Sequence, residues 1–418
     1  VAEAVEPLFR IILGGDLPVR IEFWDGSAIG PRHAPGLARF HSVEALRRIV
    51  WSPDELGLGR AFVVGEVDIE GDLLAVLAGV EALGLEDIRI GARTVATALA
   101  AAWRVGALGP PPAAPPEEAR PRGRLHSKLR DAGAIRHHYD VGNEFYRLVL
   151  GPSLTYSCAR FSNEGMTLEY AQAAKHELVC AKLGLRERPG MRLLDVGCGW
   201  GSMALHAATH HGATVVGLTI SEAQADLARQ RVAAADLAHV IDIRLQDYRD
   251  VGDETFDAVS SIGMFEHVGK KNSDKYFEML RARLRPGGRL LNHAISVPGG
   301  FTLGKRSFAH RYVFPDGELA DVGEVLLAMA RAGFEVRDVE SLREHYGTTL
   351  RHWLANLESQ WDEAVAQVGT ARARIWRLYL AGSAVNFDSG ELSVHQVLGV
   401  VAGSNGESGM PPTREGWN

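Results

Sequence analysis

Three glycines at alternate positions, Gly197, Gly199 and Gly201, follow an apolar run that ends in Asp195 and Val196. Glycine lets a backbone bend sharply and approach a ligand where any Cβ would clash. A helix predicted from Ser202 points its free N–H groups and positive dipole end at the same place. Such a turn suits a nucleotide-like cofactor at the carboxyl edge of a parallel sheet. The dinucleotide fingerprint reads G-x-G-x-x-G, with an acid about 20 residues on for the ribose. Here the spacing is G-x-G-x-G, and the strand predicted over 214–218 runs into Thr219-Ile220-Ser221. Both departures argue against a nicotinamide cofactor and for S-adenosylmethionine.

Four further segments carry chemistry-bearing residues toward that turn. His137-His138-Tyr139-Asp140 and Leu154-Thr155-Tyr156-Ser157-Cys158 precede it, Gly263-Met264-Phe265-Glu266-His267 follows the fourth predicted strand, and Asn292-His293 ends the fifth. Ligands bind outside the carboxyl ends of strands in open parallel sheets, so Glu266 and His293 are well placed. Taken singly, Glu266 is equally a helix cap, His293 a satisfied core histidine and Cys158 plain packing. His137 and His138 have no third ligand at suitable spacing, so no metal site is predicted.

The elements that position these residues are legible in outline. From about 190 onward strands alternate with helices, as in an open parallel sheet with helices on both faces. Candidate strands are 192–196, 214–218, 240–245, 256–261, 288–295 and 334–340. Residues 297–333 read as an insertion, a lid over the site. The predicted fold is α/β, a Rossmann-like class I methyltransferase sheet with a smaller N-terminal α+β domain. Three parts follow: an accessory domain over 1–105, a proline-rich linker over 106–123 and the catalytic domain over 124–418. In the first part, strands are expected at 19–23 and 61–69 and helices near 43–50, 71–83 and 91–104. Pro110-Pro111-Pro112 and Pro115-Pro116 make the linker stiff and extended.

The 418 residues allow two or three domains and a sizeable core. No apolar run reaches the roughly 18 to 20 residues of a membrane span, and the acidic N-terminus does not read as a secretory signal. Three cysteines form no C-x-x-C pair, which points to a reducing cytoplasm. The net charge of −7 argues against nucleic acid. Locally the sign reverses: Arg120, Arg122, Arg124, Lys128, Arg130 and Arg136 face one acid, Asp131. This stretch is either a solvated helix face or a surface for anionic lipid head groups, at roughly 1 kcal/mol per basic residue. The region from Phe301 to Phe314, with Phe301, Leu303, Phe308, Tyr312 and Phe314, is a second candidate for membrane contact, with lid packing as the alternative.

The segments HYDVGNEFY, LTYSCARF, LLDVGCGWG, GLTISEAQ, GMFEHVGKKN, YVFPDGEL and HYGTTLRHW resemble those of the cyclopropane fatty acid synthases and the related mycolic-acid and mid-chain fatty-acyl methyltransferases, in order and spacing. The resemblance covers about 125–400, and the N-terminal part resembles, more loosely, the extra domain of phospholipid-acting members. It implies that Tyr156, Ser157, Asp195, Gly197, Gly199, Gly201, Thr219, Ser221 and Gln224 hold S-adenosylmethionine. Gln246 and Asp247 match its adenine side. Cys158, Glu266, His293, Ile295 and Tyr346 match positions that cradle a bicarbonate ion, and Tyr139 and Phe265 would line the reacting centre.

The activity so implied is transfer of a methyl group to the cis double bond of an unsaturated phospholipid chain. Aromatic faces such as Tyr139, Phe265 or Tyr346 stabilise the resulting carbocation, by about 2 kcal/mol when desolvated. Proton loss from the new methyl group closes a cyclopropane. A prior hydride shift gives a methylene branch, which a reductase partner would saturate. The bicarbonate set favours the first and the Ala-, Gly- and Arg-rich composition the second, so both stay open. The expected protein is cytoplasmic, peripheral to the inner face of the plasma membrane, and a homo-oligomer, a dimer through its N-terminal domain. The alternative is a methyltransferase for a soluble small molecule.

Overall fold

The computed structural model describes residues 1–418 except 14–16, 18, 83–90, 120–122, 124, 129, 132, 134–140, 300–303, 305, 306 and 418. The chain forms two compact units. The first comprises Val1–Ala119, Gly304–Val313 and Trp361–Val385; the second comprises Arg120–Leu303, Phe314–Gln360 and Asn386–Asn418.

In the second unit, β5 (Arg192–Val196), β6 (Thr214–Thr219), β7 (Ile241–Leu245), β8 (Phe256–Ile262), β9 (Leu284–Ser296), β10 (Glu335–Ser341) and β11 (Ser393–Val400) form one sheet in the order β10-β11-β9-β8-β5-β6-β7. β7 through β9 are parallel neighbours, while β11 runs antiparallel to both β9 and β10. The chain moves outward from β5 through β6 to β7, then returns to lay β8 on the other side of β5. That reversal opens a crevice beyond the carboxyl end of β5, where ligands bind in such sheets. The strands read as apolar runs because helices cover both faces. One layer packs Leu178, Leu183, Leu193, Met203 and Val215, and the other Leu194, Phe256, Phe277, Leu290 and Met329.

The first unit carries a four-stranded sheet in the order β2-β1-β3-β4, from β1 (Arg20–Glu22), β2 (Ala28–Ile29), β3 (Gly36–Phe40) and β4 (Val67–Gly71). Its core holds Val5, Ile21, Phe23, Phe40, Leu46 and Ala61. Both sheets agree with the fold expected from sequence.

Several details differ from expectation. Residues 61–63 end a helix, Glu55–Val63, and the strand begins only at Val67. The Asp54 side chain caps that helix by accepting from the Gly57 amide, so the local start signal overrides the β-like Phe-Val-Val run. The boundary expected at 105 also shifts. Arg47 donates to the Gly106 and Ala107 carbonyls, Arg48 to Ala113, and Trp51 to Gly109, while Arg60 forks onto Glu118. These contacts fasten 106–119 to the first unit instead of leaving it a free linker.

The supposed insertion 297–333 is not one object. Its helix Val322–Arg331 covers the second sheet with Val325, Ala328 and Met329. Residues 304–313 belong to the first unit, where Phe308 and Tyr312 are buried. Phe308 packs so tightly on Gly59 that a Cβ there would lie 2.4 Å from its ring. Those two aromatics therefore fill a core and do not face a membrane; Phe301 and Leu303 lie outside the described residues. β11 was absent from the sequence reading, and it lies inside the sheet between β9 and β10. Among the described residues no helix is long and apolar enough to cross a membrane.

Candidate active site

The turn after β5 is built by its glycines. Gly197, Gly199 and Gly201 all take positive φ, at +76°, +54° and +80°, where a side chain costs about 1–2 kcal/mol. Each has a separate reason. A Cβ on Gly197 would press on Met264 at 3.3 Å, and one on Gly199 meets nothing within 4 Å because it would stand in open space. Gly201 packs backward onto Ala228, 3.4 Å from where its Cβ would be. The Cys198 amide donates to the Leu218 carbonyl, which ties the turn to the end of β6.

A cleft of about 130 Å³ opens above this turn. Tyr156, Ser157, Asp195, Gly197, Gly199, Thr219, Gln224, Gln246 and Asp247 all line it, as the sequence predicts. Gly201 and Ser221 do not line it; Ser221 caps the Glu222–Ala234 helix through the Gln224 amide. Thr219 donates to Gln224 Oε1 at 2.8 Å, fixing both at the rim. Gln246 donates its side-chain amide to Asp250 at 2.7 Å, and Asp247 is held by Arg249 at 2.6 Å. Phe314 lies parallel to Tyr156 at 6.5 Å, and Trp353 lies 5.3 Å from the same ring.

Two ionisable groups under the cleft set its electrostatics. Ser260 donates to Asp195 Oδ1 at 2.7 Å, while Oδ2 is buried without a partner. Burial pushes the Asp195 carboxyl up to about 6. Lys175 is fully buried and donates to Ser157 Oγ at 2.9 Å. Burial pulls its ammonium down to about 7. Lys175 and His176 line the cleft, and the sequence reading passed over both. They sit in mid-helix, in Leu168–Leu183, where a buried charge leaves no local pattern.

The second predicted group assembles at the carboxyl ends of β8 and β9. Glu266 Oε1 accepts from the Ile295 amide at 2.7 Å. Its Oε2 is buried without a partner, and burial pushes the carboxyl up to about 7. His293 lies two residues back on β9, opposite Gln396 of β11. Gln396 Nε2 lies 3.3 Å from His293 Nδ1. An amide donor there makes Nδ1 the acceptor and leaves the ring proton on Nε2, which is buried and unpartnered. Burial holds this imidazole neutral. One free acceptor and one free donor are thus buried near the same strand ends. They suit a small species that carries both an O–H and an oxyanion.

The Cys158 thiol donates to Ala159 O at 3.2 Å and contacts Leu342 O at 3.6 Å, and burial raises its pKa strongly. It is a packed, neutral thiol. The Tyr346 amide donates to that same Leu342 carbonyl, and its ring lies 4.6 Å from Phe387. The Ile295 amide is engaged by Glu266 and so is not a free donor to an ion. Met264 and His267, on either side of Phe265 and Glu266, line the cofactor cleft, so one short segment joins the two groups. Tyr139, with His137 and His138, lies outside the described residues.

Comparison with known proteins places the chain in a family. The model of the family described as mycolic acid cyclopropane synthetase matches residues 126–397. A probable fatty acid methyltransferase of Mycobacterium tuberculosis is 42% identical over 95% of this chain and 94% of its own. The cyclopropane-fatty-acyl-phospholipid synthase of Escherichia coli K12 is 36% identical over 66% of this chain and 69% of its own. A solved mycolic acid cyclopropane synthase, complexed with S-adenosylhomocysteine and CTAB, is 35% identical, with a TM-score of 0.60 over 64% of this chain and 97% of that one. The chain belongs to the mycolic acid cyclopropane synthetase family, and it is an S-adenosylmethionine-dependent enzyme that transfers one-carbon groups to fatty acyl chains.

Proposed function

We propose that the protein methylates the cis double bond of an unsaturated acyl chain carried by a membrane phospholipid. The buried Glu266–His293 pair carries this reading, because it places a free acceptor and a free donor one short segment from the cofactor cleft. S-adenosylmethionine bound in the cleft supplies an electrophilic methyl group. The chain's own residues then have three tasks. The glycine turn, Thr219 and Gln224 hold the cofactor, and holding it against the alkene supplies much of the rate gain. Tyr346 would offer an aromatic face to the cationic chain left by methyl transfer, while the predicted Phe265 ring packs on Tyr276 and Phe277. Glu266 and His293 would hold bicarbonate, whose chemistry there is that of a base.

A phospholipid substrate fits the similarity to the Escherichia coli synthase and the extra N-terminal unit, and implies peripheral contact with a membrane surface. Lys128 pairs with Asp250 and Arg130 with Asp316 within the second unit; the other members of the basic stretch, Arg120, Arg122, Arg124 and Arg136, lie outside the described residues.

The test is incubation with methyl-labelled S-adenosylmethionine and dioleoyl phospholipid vesicles, followed by mass spectrometry of the lipids. A gain of one CH₂ supports the proposal, and derivatisation then distinguishes a ring from an exocyclic methylene. No gain with any unsaturated phospholipid, with cofactor binding intact, favours a soluble substrate.

A further inference from the structure

Cys180, His206 and His211 offer ligand atoms that all lie within 4.8 Å of one another. They come from the helices Leu168–Leu183 and Ser202–His211, which pack side by side in the second unit. Glu177 stands one helical turn before Cys180. Its Oε2 is 2.9 Å from Nε2 of His206 and 2.9 Å from Nε2 of His211. A carboxylate only accepts, so both Nε2 atoms carry the proton. Arg186 donates to the other Glu177 oxygen at 2.7 Å.

From this geometry we infer a metal site for one zinc ion, bound by Cys180, His206 and His211, beside the Glu177 carboxylate that holds both rings when no metal is bound. A thiolate and two imidazoles make a set that zinc takes, with water in the fourth position. Tetrahedral bonds of about 2.0–2.3 Å bring ligand atoms to about 3.3–3.7 Å from one another, so the side chains close in by about 1 Å. The rings are partly buried and Glu177 is a third exposed, which leaves an entry path. Binding releases the thiol proton to solvent.

The site has a consequence for the cleft. The same two helices carry Lys175 and His176 on one side and Ser202 and Met203 on the other, all lining it. Zinc would clamp the helices a turn or two beneath the cofactor, and a ligand bound only by the folded state stabilises that state.

The test uses the full chain, stripped with chelator, titrated with zinc by calorimetry and with cobalt by absorption spectroscopy. We expect one zinc per chain, a cobalt spectrum with a thiolate charge-transfer band, and a rise in melting temperature with zinc. Cys180→Ser should remove the band, and the double change His206→Ala with His211→Ala should remove stoichiometric binding. The wild-type cobalt spectrum decides independently of whether any variant folds. Absence of the thiolate band, less than one zinc per chain, or binding unchanged in the folded double variant would each overturn the site.

Discussion

The Ile295 amide donates to Glu266 across 2.7 Å and thereby fixes one carboxylate oxygen while the other stays buried and unpartnered. The bond holds the side chain at the strand end and favours its charged form, yet burial outweighs it and raises the pKa to about 7. A group poised there changes protonation within the working range of an enzyme.

Glu266→Gln should lower kcat by about 10²–10⁴, the range for a positioned acid or base, with cofactor affinity little changed. In the wild type the rate should rise with pH through about 7, as Glu266 ionises, and the Gln variant should lose that limb. Stability should move the other way. The folded pKa lies above the ordinary 4.5, so this group's contribution is present below about 4.5 and is lost as pH rises through about 7. Steady-state rates and urea unfolding across pH 5 to 8 check both signs.

Gly199→Ala separates cofactor binding from folding. Its φ of +54° strains any side chain, and the added Cβ would stand in the open cleft. Unfolding free energy should fall by about 1 kcal/mol, while cofactor affinity falls on the order of 10-fold or more, equivalent to about 1.4 kcal/mol. Calorimetric titration with S-adenosylhomocysteine reads the second effect, and an unchanged Kd would remove Gly199 from the cofactor surface.

Lys175 gives a prediction of opposite sign. Burial lowers its folded pKa from 10.5 to about 7, so the folded state resists the proton that the unfolded chain takes. Its contribution is most favourable above 10.5 and worsens as pH falls toward about 7. Lys175→Met should therefore flatten the rise in stability between pH 7 and 10. It also leaves Ser157 without its donor, and cofactor affinity should weaken. Denaturant unfolding at both pH values, paired with cofactor titration, checks the two parts.

Arg374 anchors the first unit. It donates to the Phe62 and Val67 carbonyls, pairs with Asp68 at 2.6 Å and lies 4.3 Å over the Phe62 ring. Arg374→Ala takes the side-chain donor from the Val67 carbonyl, while the Phe62 carbonyl keeps the Gly65 amide; one stranded carbonyl costs about 1–3 kcal/mol. A loss of about 2 kcal/mol or more in urea unfolding is expected; a loss under 0.5 kcal/mol would show the contacts to be surface decoration.

What the sequence disclosed follows the range of the interactions concerned. The cofactor turn was legible because its signal is local: an apolar strand, three glycines and a helix start within a dozen residues. Glu266 and His293 were legible as strand-end residues once the strands were placed. Lys175 was not, because its partner Ser157 lies 18 residues away and nothing near it in the chain marks it as buried. The Cys180, His206 and His211 group escaped for the same reason, since two helices supply it. β11 was missed because its pairing with β9 spans about a hundred residues and runs against the parallel pattern. Phe308 could be read as facing a membrane or packing a lid, and not as a core residue of the first unit, because its seat on Gly59 is some 250 residues distant.

The first unit draws on three separated stretches, the last ending at Val385. A growing chain that has only reached Ala119 lacks the Phe308 plug and the Arg374 anchor, so its leading portion emerges with gaps that later residues must fill. Domains made from one uninterrupted stretch are able to fold as they emerge from the ribosome; this one waits for material made much later. The same interleaving makes a cut near residue 119 a poor way to obtain an accessory domain, because the piece released would lack the parts that complete its own interior.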